Sequence, residues 1–231
     1  MKTIGLIGGM SWESSIEYYR IINETTRARL GGLHSAKGVM YTVDFAEIET
    51  LQHQNRWADA AQILIAAAQS LDRAGADFLV LCTNTMHKLA PDIETNVGIP
   101  LLHIADATAQ KIQAAGLKTI GLLGTRFTME QDFYKGRLTD RFGLHVLVPN
   151  ADARAVVHEV IYDELCLGIT RQESKARYVQ IIEQLIAAGA EGIISGCTEI
   201  ELLIQQADCP VPLFATTQIH AEAAVEYALA N

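Results

Sequence analysis

No stretch of this 231-residue sequence stays apolar long enough to cross a bilayer; the longest, such as residues 63–68, fall far short. Cations are scarce as well, with 18 Lys and Arg against 27 Asp and Glu and a formal net charge of -9. Without a visible basic stripe, nucleic-acid binding is not expected, because it needs clustered cations against phosphates. The four cysteines (Cys82, Cys166, Cys197, Cys209) show no C-x-x-C spacing and no paired histidines nearby. That argues against a zinc centre, so no metal is expected. The opening MKTIGLIGGMSWE carries one Lys, then Gly8-Gly9 and Glu13, which suit a strand entering a turn better than a signal peptide. With no sign of export a cytoplasmic protein is expected, and disulfides are not. G-x-G-x-x-G and G-K-[ST] are both missing, so nucleotide binding has no motif behind it.

Apolar residues, by contrast, make up 49% of the chain, and charged residues 19%. A substantial core can be buried, and the length suits two modest domains or one large one. Short β-rich runs at residues 3–8, 38–45, 77–81, 99–103, 118–124, 144–148, 192–195 and 211–214 are expected to be strands. Between them, helical patterns occupy residues 12–30, 58–74, 131–142, 151–165 and 172–187. Such alternation predicts an α/β fold with parallel sheets covered by helices.

The chain also repeats itself. TIGLIG at residues 3–8 returns as TIGLLG at 119–124, AGAD at 74–77 as AGAE at 188–191, and IPLLHIADATA at 99–109 as VPLFATTQIHA at 211–221. The offsets are 116, 114 and 112, always in the same order, which favours an internal duplication. The expected halves are residues 1–115, with room for the C-terminal helix to swap into them, and 116–231. Aligning the AGAD and AGAE segments pairs Cys197 with Thr83 and leaves Cys82 opposite Gly196. On an extended strand a one-residue shift turns the side chain to the other face. Cys82 is therefore read as an inert core thiol.

Thr83 and Cys197 each stand where a buried strand ends and a helix is expected to begin. Parallel sheets bind ligands at the carboxyl ends of their strands. A helix start offers free N–H groups to a carboxylate and favours a thiolate. Two such ends facing a small anion could remove a proton from one side of a carbon and return it to the other. The blander reading is that Thr83, Asn84 and Thr85 cap a helix and His87 is a solvated helix residue.

On IGLIGGMSWESSIEYYRIIN (4–23), VDFAEIETLQ (43–52), TNTMH (83–87), GLLGTRFTM (121–129) and GCTEIELL (196–203), the chain resembles the cofactor-independent aspartate/glutamate racemase family. The resemblance implies two similar Rossmann-like halves with the active site between them, and a cysteine from each half flanking the substrate's α-carbon. No PLP, metal or other cofactor is implied. The family's second site stands intact as Gly196-Cys197-Thr198-Glu199, whereas the first carries Thr83 where the family has cysteine. Cys197 and Thr83 become the implied catalytic pair, and an L-substrate preference follows. Substrate-binding positions carry over to Met10, Gln52, Asn84, Thr85, Thr198 and Glu199, with Thr125 and Thr128 as softer candidates. Arg56, Arg126 and Lys88 are available for the distal carboxylate, without a ground for choosing. The expected partner is a small acidic amino acid, with no nucleic acid and no membrane, and a homodimer is compatible with the sequence. Two other readings keep the fold: a single-cysteine decarboxylase or isomerase, and a silent dicarboxylate-binding protein.

Overall fold

The computed structural model describes residues 1–230. The chain begins with β1 (Ile4–Gly8), α1 (Trp12–Leu30), β2 (Gly38–Thr42), α2 (Phe45–His53), α3 (Trp57–Arg73) and β3 (Phe78–Leu81). A 3-10 turn (Thr85–Leu89), α4 (Ala90–Asn96), β4 (Leu101–Leu102) and α5 (Ile104–Ala114) follow. The pattern then restarts with β5 (Thr119–Gly124), α6 (Arg126–Glu130), α7 (Asp132–Phe142), β6 (His145–Leu147), α8 (Ala151–Asp163) and α9 (Gln172–Ala187). It closes with β7 (Gly192–Gly196), α10 (Ile200–Leu203), β8 (Leu213–Ala215) and α11 (Thr216–Leu229).

All sheet pairings are parallel, in the order β2-β1-β3-β4 in one sheet and β6-β5-β7-β8 in the other. The two orders are the same, so the halves are similar in topology as the repeat predicts. β3 and β7, which precede Thr83 and Cys197, hold equivalent inner places in the two sheets.

In the first sheet the strand period sorts the core. Leu79 and Leu81 turn towards α3, packing with Ile7, Leu64, Ala68 and Leu71. Phe78, Val80 and Cys82 turn the other way, onto Tyr18, Ile21 and Ile22 of α1 and Ala221, Ala224 and Val225 of α11. Each fully buried Leu or Ile contributes about 1.5–3 kcal/mol. α1 starts where Ser11 accepts the Ser14 N–H on its side chain, and ends at Gly31, whose φ of 77 suits a residue without Cβ. β2 stops short of its expected end at residue 45, because Asp44 accepts the Ala46 N–H at 3.1 Å and caps α2.

Contacts divide the chain into two units, Met1–Ile104 with the stretch from His220 onward, and Ala105–Ile219. By that measure α5 goes with the second unit, rather than with the first as the boundary at 115 has it. Asp106 of α5 pairs with Arg137 and Arg141 of α7 at 2.5 and 3.1 Å, and Gln113 bonds the Phe142 carbonyl. In the first unit, His220 Nε2–H donates to Leu102 O at 2.8 Å. Burial drops the His220 pKa to about 4, so the ring is neutral and Tyr18 Oη–H donates to its Nδ1 at 2.8 Å. Among the described residues no helix is long and apolar enough to cross a membrane.

Candidate functional site

β7 ends beside β5, with Gly196 opposite Gly124. A Cβ at Gly196 would lie 2.7 Å from Leu123 O, and one at Gly124 would lie 2.9 Å from Gly196 O. Only glycines let these backbones run so close. The next residue, Cys197, is 9% exposed and packs with Leu123, Tyr178 and Ile193. Its S–H donates to Glu199 Oε2 at 2.9 Å, and Thr198 Oγ1–H donates to the same oxygen at 2.6 Å. Glu199 is itself buried, so this carboxylate is turned back onto the thiol.

The thiol pKa moves opposite to expectation. Burial pushes it well above its usual value, and the charge of Glu199, the nearby Cys166 and the bond to the Glu199 side chain push it further. Only a bond from the Glu199 backbone N–H works the other way. The helix that was to favour the thiolate is α10, a single turn, too short for a strong dipole. Glu199→Gln should therefore let the thiolate form at lower pH. Iodoacetamide alkylation of Cys197, followed by mass spectrometry across pH, should show its rise displaced downward; a fixed or upward-shifted rise would contradict this account.

In the first unit Thr83 leaves β3, and it too is 9% exposed. Its N–H donates to Leu81 O at 2.8 Å and its carbonyl accepts from His87 Nδ1 at 2.7 Å. Asn84 and Thr85 are buried beside it, and Asn84 makes no side-chain capping bond to the 3-10 turn. His87 is not a solvated helix residue: it is 1% exposed. Cys82 lies on the opposite sheet face from Leu79 and Leu81, fully buried with Val80 and Tyr18, and burial pushes its thiol far up. Cys82→Ala should leave turnover near the parent's, at a stability cost of about 0.5–3 kcal/mol in chemical denaturation. A loss of activity comparable to that of a Cys197 variant would show that Cys82 takes part in the chemistry.

The remaining candidates fall into two groups. Met10 is buried in the cluster that holds Leu51 and Met86, and Gln52 Nε2 donates to Met86 Sδ at 2.8 Å. At Gly9, with φ of 95, the backbone of Val43 passes where a Cβ would sit, which joins the segments around Met10 and Gln52. Met10, Gln52, Thr83, Asn84 and Thr85 thus belong to the first unit; Thr125, Thr128, Cys197, Thr198 and Glu199 belong to the second. Thr125 follows β5, next to β7, but it caps α6 by accepting the Thr128 N–H at 3.3 Å. Of the cations, Arg56 pairs with Asp59 at 2.7 Å and Lys88 lies 3.9 Å over the Trp57 ring. No group of three or more His, Cys, Asp or Glu placed to hold a metal occurs among the described residues. Ser14, absent from the sequence expectations, donates through Oγ to Cys82 O at 3.1 Å. Only its place in the Ser-rich start of α1 hints at that role.

Two parallel sheets of one topology, with Thr83 and Cys197 leaving equivalent strands, define a duplicated α/β protein. The Asp/Glu/hydantoin racemase family profile matches residues 7–224. A candidate Asp/Glu racemase from Yersinia pestis, known from a crystal structure, is 58% identical over 100% of both chains with a TM-score of 0.94. An aspartate racemase homologue from Pyrococcus horikoshii OT3 is 35% identical over 99% of each chain, with a TM-score of 0.85. The broad specificity amino-acid racemase RacX of Bacillus subtilis strain 168 is 24% identical over 174 residues, 72% of this chain and 71% of that one. The chain belongs to the Asp/Glu/hydantoin racemase family.

Proposed function

We propose that this chain racemises aspartate, glutamate or both by PLP-independent proton transfer at the α-carbon, as a cytoplasmic enzyme whose partner is the small acidic amino acid. The observation that carries the reading is the hydrogen bond from Cys197 to Glu199 at the exit of β7, with Thr83 at the equivalent exit of β3. The thiol is protonated at rest and held in place by Glu199. Once it loses that proton, the thiolate takes the α-proton of an L-substrate. The carbanion is then protonated from its other side by the Thr83 hydroxyl or by a water that the hydroxyl orients, and solvent replaces the proton given up there. Met10, Gln52, Asn84, Thr85, Thr125, Thr128, Thr198 and Glu199 are assigned to substrate binding.

The test is incubation in deuterium oxide with each antipode of aspartate and glutamate, without added cofactor. α-Deuteration with loss of optical purity supports the reading. Absence of deuteration on all four would leave a binding protein, and release of CO₂ would leave a decarboxylase.

A further inference from the structure

We propose that His87, seconded by Ser14, is a positioning residue that fixes where the Thr83 hydroxyl points. The inference rests on the reading of Thr83 as the proton-delivering group.

The hydrogen bonds determine the state of the His87 ring. Ile104 N–H donates to its Nε2 at 3.2 Å, so that nitrogen carries no proton. The proton is on Nδ1, which donates to Thr83 O at 2.7 Å. One residue earlier in the chain, Ser14 Oγ–H donates to Cys82 O at 3.1 Å. Two buried side chains from different elements thus hold the carbonyls on either side of the Thr83 N–Cα segment. The ring has little room to turn, with His103 at 4.5 Å and His220 at 5.8 Å between ring centroids.

The second half keeps only part of this device. Glu201, the repeat partner of His87, accepts Thr217 N–H on Oε1 at 3.4 Å, much as His87 accepts Ile104 N–H. The Cys197 carbonyl takes a backbone bond from Ile200 N instead, at 3.2 Å. A ring N–H holding the reactive residue's carbonyl is thus found on the threonine side. Chemistry gives a reason. A thiolate is a large, polarisable base, whereas a hydroxyl is a poor acid and base that needs accurate placement. A misplacement of about 1 Å can cost about 10²-fold in rate.

The experiment separates the two sides of the reaction. From β-chloro-L-aspartate, the Cys197 thiolate takes the α-proton, the C–H electron pair forms the Cα=Cβ bond and chloride leaves. The resulting enamine hydrolyses to oxaloacetate and ammonia, so no acid is needed on the Thr83 side. His87→Gln keeps an acceptor for Ile104 N–H and loses the hold on Thr83 O, whereas His87→Asn keeps a donor near the Nδ1 position. Racemisation of L-aspartate should fall by about 10²-fold in His87→Gln and largely survive in His87→Asn. Chloride release should stay at the parent's rate in both. Ser14→Ala, which removes one hydroxyl only, should show the same split at smaller size. If chloride release falls together with racemisation, or neither falls, His87 is structural and the proposal is overturned. Thr83→Ala serves as the control: racemisation that survives it would sink the Thr83 reading itself, and the positioning role with it.

Discussion

Replacing Cys197 by Ala or Ser is expected to stop deuterium incorporation from solvent into both antipodes of aspartate and glutamate. The loss should reach about 10²–10⁴-fold or more, the usual cost of removing an acid/base group. The other thiols are poor substitutes. Cys82 is fully buried against α1 and α11, and burial pushes its thiol and that of Cys209 up. Cys166, partly buried, packs against the same apolar cluster as Cys197. Serine keeps the shape, but its hydroxyl is a far weaker acid than a thiol, so it would not produce a useful base. Chloride release from β-chloro-L-aspartate should vanish in parallel, with thermal melts confirming that the variants fold. Substantial residual exchange in either variant would move the base elsewhere.

Much of the frame is legible in the sequence because it rests on local rules. α1 runs over residues 12–30 as expected, since Ser11 caps one end and Gly31 the other. The pairing of Thr83 with Cys197 follows from in-register repeats, and the equal places of β3 and β7 in their sheets follow from the same repeats. What stays hidden depends on partners distant in sequence or on a turn's direction. Residues 43–45 continue a β-rich run that reads as strand until the Asp44 side chain bonds forward and starts a helix. His87 reads as a surface residue because its two hydrogen-bond partners, Thr83 O and Ile104 N, come from a strand exit and a later helix start. The thiol's upward shift is hidden for another reason. Gly-Cys-Thr-Glu shows a carboxylate two residues on, but not that the turn brings its oxygen to 2.9 Å from Sγ.

Thr83→Cys is expected to transform the reaction of D-substrates. The antipodes have equal free energies in water, so kcat/KM must be the same in both directions for the parent and for every variant. A preference for L-substrates therefore shows at saturation: fast turnover of the L-form, and a D-form that saturates at low concentration and turns over slowly. By the handedness that the glutamate racemase resemblance implies, Cys197 takes the proton from L-substrates and the first-half residue takes it from D-substrates. An aliphatic hydroxyl is scarcely ionised at any pH the protein tolerates, so the D-ready form of the parent is rare. A thiol at position 83 changes that. Its pocket is as closed as that of Cys197, each residue being 9% exposed, and Cys differs from Thr by little volume. Saturating turnover of D-aspartate or D-glutamate should rise by about 10²-fold or more. Turnover of the L-forms at saturation should change far less, and kcat/KM should rise equally for both. β-Chloro-D-aspartate, inert to the parent, should begin to release chloride, while release from the L-form keeps the parent's rate. If the parent already turns over both antipodes equally at saturation, or Thr83→Cys leaves the D-reaction flat, the threonine has no part in proton transfer and the unequal pair is not the basis of this chain's chemistry.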